Sequence, residues 1–313
     1  VNNLFRSLLV TTAILAVPTV HGAQPAAAPQ RAAAALTATN SLGPTEVKLR
    51  PTTLTAAQIV ERNAAARGGL DSWRKIATLA TAGKMDAGRA RQVRPEDYAA
   101  GHKRPLTGPG SDSDRGTMVQ VPFVMEFKRP RKARVEIDYH GQKAVQVYDG
   151  TKGYKLRPFL NRADWQLFSA EEAKAAAMQQ ELDGPLLDYV AKGTKIAVEG
   201  MGAVEAHDAY RLKLTFKDGQ DERLWVDATS FLEVRIDTIR KVSGRPRSVV
   251  TYLRDYRTVN GVKIPFLSET QVEGRPDPER IVVETATVNP TLDDSRFVPP
   301  LDGVAARLAV PKS

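Results

Sequence analysis

From Val119 to Asp149 the chain alternates apolar and polar residues with a period of two. Val119, Val121, Phe123, Met125 and Phe127 fall on one side, and Gln120, Glu126 and Lys128 on the other. Arg129-Pro130-Arg131 supplies a turn. A second arm then places Ala133, Val135, Ile137 and Tyr139 inside and Arg134, Glu136 and Asp138 outside. Side chains on a strand point alternately to opposite faces, so the stretch predicts an antiparallel pair with one apolar and one wet face. The apolar face needs a cover.

The same pattern returns later. Tyr210, Leu212, Leu214 and Phe216 alternate with Arg211, Lys213 and Lys217, and Leu224, Val226, Leu232, Val234 and Ile236 continue the inner face. Further strands are expected at 78–85, 249–256, 262–270 and 281–288. Asp218-Gly219 and Asn260-Gly261 read as two-residue hairpin turns, whose geometry needs positive φ at both central positions. Strands joined by short turns give an antiparallel meander. By alternation Glu136, Asp138 and Glu233 lie on the outer face, and Glu126 there should tolerate replacement by lysine.

Helical signals are few. Thr55 can cap a helix running to Arg67, Gly68-Gly69 ends it, and residues 70–76 form a short second helix carrying Trp73. Ser169-Ala170-Glu171-Glu172 is a capping box, in which the serine accepts from an amide three residues on and the glutamate reaches back. An alanine-rich helix is expected from there to about Leu182. Asp183-Gly184-Pro185 then begins another helical turn, with proline where its missing N–H costs nothing. This segment interrupts the meander once, so it is the natural cover. Leu182, Leu186 and Leu187 form its apolar side, Gly184-Pro185 offers a hinge, and small alanines leave room beneath. The alternative is a filled core with no cavity.

Composition narrows the function. The chain has 313 residues, 42% hydrophobic and 26% charged, enough for a full-sized core. Lysine and arginine (45) outnumber aspartate and glutamate (36), a net charge of +9. The cations are spread among acids with no basic-aromatic motif, so a solvated surface is expected and nucleic acid is not; weak attraction to anionic membranes is compatible with this charge. Cysteine is absent, which removes disulfides, thiol catalysis and acylation at a lipobox. Residues 1–22 read as an export signal, with an apolar core too short to span a bilayer. An Ala/Pro-rich linker is expected at 23–53, an aperiodic insertion at 86–117 and a tail at 300–313. No two histidines stand three or four apart, and no nucleophile elbow, P-loop or dinucleotide fingerprint occurs. Carboxylates are plentiful, so a glycosidase-type pair, and with it an uncharacterised hydrolase, stays open as an alternative; catalysis, a metal and a cofactor are not the expectation. A transmembrane β-barrel would also alternate, but aromatics are 6% and no aromatic girdle marks the strand ends.

Taken in order, the segments LTAAQIVERNAAARGGLDSWRKIATLATAGKM, VPFVMEFKRPRKARVEI, AVQVYDGTKGYKLRPF, ELDGPLLDY, AYRLKLTFKDG, LWVDATSFLEVR and YLRDYRTVNGVKIPF resemble the LolA-like periplasmic proteins that sort outer-membrane lipoproteins. The resemblance spans residues 54–299. It implies a mainly β fold with some α: a half-open antiparallel β-barrel or strongly curved sheet whose apolar concave face is covered by helices. It further implies a periplasmic carrier of lipid or lipoprotein acyl chains, working with a membrane-anchored donor or acceptor, or else a sensor of the same fold signalling to a membrane partner. The acyl chain is then expected against Val121, Phe123, Met125, Phe127, Val135, Ile137, Leu212, Leu214, Phe216, Leu224 and Val234, beneath a lid of Leu182, Leu186 and Leu187.

Overall fold

The computed structural model describes residues 47–90, 117–139, 141–158, 162–170, 172, 173, 176, 182–242 and 245–300. The expected export signal, most of the linker, the centre of the insertion and most of the tail lie outside the described residues.

Two helices come first, α1 (Ala56–Ala66) and α2 (Leu70–Arg74). Thr55 caps α1 with the full reciprocal box to Gln58. Strands β1 (Thr78–Ala90), β2 (Thr117–Lys128), β3 (Lys132–Tyr139), β4 (Gln142–Tyr148), β5 (Gly153–Arg157) and β6 (Arg162–Leu167) form one meander. Strands β7 (Lys195–Val204), β8 (His207–Thr215), β9 (Asp221–Asp227), β10 (Glu233–Val242), β11 (Arg245–Val259), β12 (Val262–Val272) and β13 (Glu279–Val288) form a second. Pairing of β1 with β13 joins them into one antiparallel sheet ordered β6-β5-β4-β3-β2-β1-β13-β12-β11-β10-β9-β8-β7. The sheet does not close, because β6 and β7 are its two outer strands. The chain from β6 to β7 must therefore travel from one edge to the other. That connection is the segment expected as a cover.

Strand register explains the core. Phe123, Met125 and Phe127 of β2 stand opposite Ile137, Val135 and Ala133 of β3, and opposite Gly83, Thr81 and Leu79 of β1. These apolar side chains join Leu212, Leu214, Leu224, Ile264, Phe266 and both helices in one cluster. A buried side chain of this size contributes about 1.5–3 kcal/mol relative to exposure, so the concave face dominates folding.

The convex face is not simply wet. Residues 47–50 cross it: Arg50 pairs with Met201 of β7, and Val47 and Leu49 pack on a second cluster of Val204, Ala209, Trp225 and Tyr252. Gly202 makes that approach possible, since a Cβ there would sit 2.6 Å from Val47. At the other end a 3₁₀ turn, Asp294–Phe297, packs against β3 and β4 with Phe297 fully buried. Asp294 bridges Lys128 and Lys132 at 2.8 and 2.7 Å. Arg296 grips Glu126 through Nη2 and Nε, which donate to its two oxygens at 2.6 and 2.7 Å. Glu126 is only 6% exposed. The expectation that it tolerates lysine is corrected: it sits on the outer face, but under a strap.

Turns and boundaries differ in detail. Asn260 (φ 46°) and Gly261 (φ 82°) form the expected turn. At Asp218-Gly219 only Gly219 has positive φ, and Phe216 pairs with Gln220 across a three-residue loop. The outer parts of the expected insertion belong to β1 and β2, where Asp86 is buried and accepts from Gln120 and the Arg280 amide. Among the described residues no helix is long and apolar enough to cross a membrane.

Candidate functional site

The concave face is an apolar trough with a cover laid into it. Val121, Phe123, Met125, Phe127, Val135, Ile137, Leu212, Leu214 and Leu224 all line it in one cluster, and Phe216 packs at its margin. Met125 is 1% exposed. Val234 does not join them. It packs on the convex side beside Trp225 and Tyr252, which corrects its expected place. The reason is local: Phe231 takes φ 55°, and the β9–β10 register slips between Glu233 and Arg235. A one-residue slip exchanges the faces. The same slip turns Glu233 inward and buries it completely, correcting its expected outer position.

The cover is less regular than the sequence suggested. Ser169 and Glu172 make the expected capping box, and Ala170, Glu172, Ala173 and Ala176 are helical. Residues 182–193 are a run of turns rather than a helix, with Asp188 at φ 51°. Glycine at 184 and 193, both at positive φ, punctuates the run. Leu182, Leu186 and Leu187 are nonetheless buried in the same cluster.

Polar contacts fasten this segment. Asp183 receives Lys192 at 2.7 Å on one oxygen and Arg129 at 3.0 Å on the other. Burial alone would raise its carboxyl. Lys192 and then Arg129 outweigh that and hold it below the usual carboxylate range. Arg129 is itself anchored, donating to the Ile76 carbonyl at 2.8 Å and the Trp73 carbonyl at 3.2 Å. Arg74 holds Asp188 through two hydrogen bonds of 3.1 and 2.6 Å.

Beneath lies a fully buried pair. Arg67, at the end of α1, donates to the Asp183 carbonyl at 2.8 Å and to Glu233 at 3.3 Å. Its guanidinium lies 4.5 Å over the Trp73 ring. The other Glu233 oxygen accepts from the Tyr256 hydroxyl at 3.3 Å; burial, then the Glu233 charge, pushes that phenol well up. The chain can bury Arg67 here because Gly68 and Gly69 both adopt positive φ. A Cβ on Gly68 would meet the Gly261 carbonyl oxygen at 2.1 Å.

Arg67, Arg129, Asp183, Glu233 and Tyr256 were not expected from sequence to meet in a buried cluster. Only Arg67 carried a hint, as a charged residue directly before a Gly-Gly helix stop. The others take most of their partners from distant parts of the chain.

Further along β11 and β12 the inner face carries a polar patch, with the buried Val249 and Val272 beyond it. Thr251 and Thr270 hydrogen-bond each other at 3.0 Å, and Ser268 is buried beside them. Among the described residues no group of three or more His, Asp or Glu side chains could hold a metal ion.

No family model matches the chain, and no curated protein matches it by sequence. The structure is similar to that of a LolA superfamily protein from Nitrosomonas europaea, with TM-score 0.50 and 13% identity, covering 79% of this chain and 99% of that one. It is also similar to a DUF1329 family protein from Desulfovibrio piger, with TM-score 0.51 and 13% identity, covering 78% and 97%. At such identity the likeness is one of fold.

Proposed function

From this LolA-like fold we propose a periplasmic carrier that shelters the acyl chains of lipoproteins or other lipids in its concave trough. One observation carries the reading. The apolar face is sealed at its centre by residues 182–193, a run of turns held by side-chain contacts, not by a strand or a long helix. The leucines of that segment occupy the space an acyl chain would take. Carriage then consists of displacing them and closing again, and no covalent step is needed. The export signal read at 1–22 is consistent with action outside the cytoplasm.

Mass spectrometry of lipid extracted from the purified full chain, with titration of a fluorescent fatty acid, tests this. In a trough that opens to take a lipid, Met125→Lys should still fold, because the lysine can snorkel toward the opening, yet lose the probe. Leu187→Ala weakens the cover by roughly 2–5 kcal/mol and should speed uptake. No extracted lipid, together with a wild-type protein that ignores the probe, would show the trough to be plain core.

A further inference from the structure

Ser268 on β12 is fully buried, and its Oγ has no hydrogen-bond partner among the described residues. Its direction is fixed by register. Ser268 stands opposite Leu253 of β11 and Ile281 of β13, two residues after Phe266. All three belong to the trough cluster. Opposed residues of an antiparallel pair share a face, as do residues two apart on one strand, so the serine hydroxyl points into the trough. The next position on that face is Thr270, bonded to Thr251 at 3.0 Å. Two hydroxyls that bond each other use one proton between them, so this pair keeps a second proton to donate.

A buried hydroxyl without a partner is costly, and alanine would avoid the cost. A hydrogen-bonding ligand removes it too, and the surroundings say which kind. Glu279, opposite Thr270, is an acid bonded to Arg275. The other positions around Ser268 and the threonine pair on this face are Phe266, Leu253, Ile281, Ile236, Val249 and Val272, all apolar. With no cation among them, the site suits a neutral oxygen rather than a carboxylate or a phosphate. Phe266 is buried before the serine, and Val249 and Val272 are buried beyond the threonines. The oxygen therefore has apolar lining on both sides, which places it within a hydrocarbon chain and not at a headgroup. Thr81 on β1 is also buried without a partner among the described residues. It stands opposite Met125 and two residues from Leu79, with no second hydroxyl beside it.

We propose that the trough selects acyl chains carrying a hydroxyl along their length, and that this hydroxyl bonds Ser268 and the Thr251–Thr270 pair. The inference rests on the carrier reading and names its class of ligand. Positions two apart on a strand are about 7 Å apart, so one oxygen midway is within hydrogen-bond reach of both. A hydroxyl donates and accepts at once: it takes the free threonine proton and gives its own to Ser268, or the reverse. An unsubstituted chain fills the same space but leaves Ser268 without a partner.

The test is displacement of a fluorescent fatty acid from the full chain by stearic acid and by its 10-hydroxy and 12-hydroxy derivatives. At least one hydroxy acid should compete about fivefold better than stearic acid, which is one neutral hydrogen bond expressed as a ratio. Ser268→Ala should lose that preference, and should melt no lower than wild type, because it removes a group with no partner. Equal competition by all three acids in wild type overturns the inference and leaves the carrier reading standing. So does a preference that survives Ser268→Ala, or one that Thr81→Val removes in its place. A lower melting temperature for Ser268→Ala overturns it as well, since the hydroxyl would then serve the fold. Failure of the fluorescent acid to bind wild type overturns the carrier reading, and the inference with it.

Discussion

Arg67→Met should be the most informative single change in the trough. Arg67 and Glu233 are both fully buried, yet only one hydrogen bond, at 3.3 Å, joins them. The arginine also leaves Nε and Nη2 without a hydrogen bond among the described residues. Desolvation of two charges is thus poorly offset by their contact, the situation in which an apolar replacement of both partners is close to neutral. Removing only one partner is different. Arg67→Met leaves the Glu233 carboxylate buried with, among the described residues, only the Tyr256 hydroxyl at 3.3 Å, whose one proton is shared with the Glu233 backbone carbonyl at 2.9 Å, and should cost about 3–5 kcal/mol. Glu233→Leu strands the guanidinium and should cost a similar amount. The double variant removes both charges and loses the 2.8 Å bond to the Asp183 carbonyl, worth about 1 kcal/mol. It should therefore be more stable than either single variant. Urea unfolding followed by tryptophan fluorescence measures all four proteins, and Trp73, stacked on Arg67, reports the site directly. Costs that simply add, or single variants within a few tenths of a kcal/mol of wild type, would refute the reasoning and mean that water reaches the pair.

Glu126→Lys should destabilise by about 1–3 kcal/mol by setting a lysine against Arg296; the half-exposed arginine can turn to solvent, which caps the loss, and Glu126→Gln should cost less in the same melt. The Asp183 carboxyl is held below its ordinary value, so its fastening of the cover is fully present above about pH 4 and is lost as pH falls through the depressed value. Hydrogen exchange at residues 182–193 should accelerate in that acid range, whereas Asp183→Asn should exchange fast at neutral pH and show no such acid step.

Much of the architecture was legible in the chain because it is set by neighbours. Alternation in β2, β3 and β8 reports which way successive side chains point, and it placed Met125, Val135 and Leu212 on one face without any knowledge of partners. Thr55, Ser169 and Asn260-Gly261 act within four residues, so their caps and turn were readable too. Tertiary structure decided what lies further away. The pairing of β1 with β13 makes one sheet of two meanders, and no local pattern specifies it. The slip at Glu233 exchanges that residue with Val234, because one extra residue inverts a period of two and leaves no trace in hydrophobicity. Glu126 looked like a surface residue until Arg296, 170 positions on, came to lie over it. Asp183 looked like a turn former until Arg129 and Arg67 converged on it. Local chemistry dictates the direction of each side chain; only the folded chain determines what each one meets.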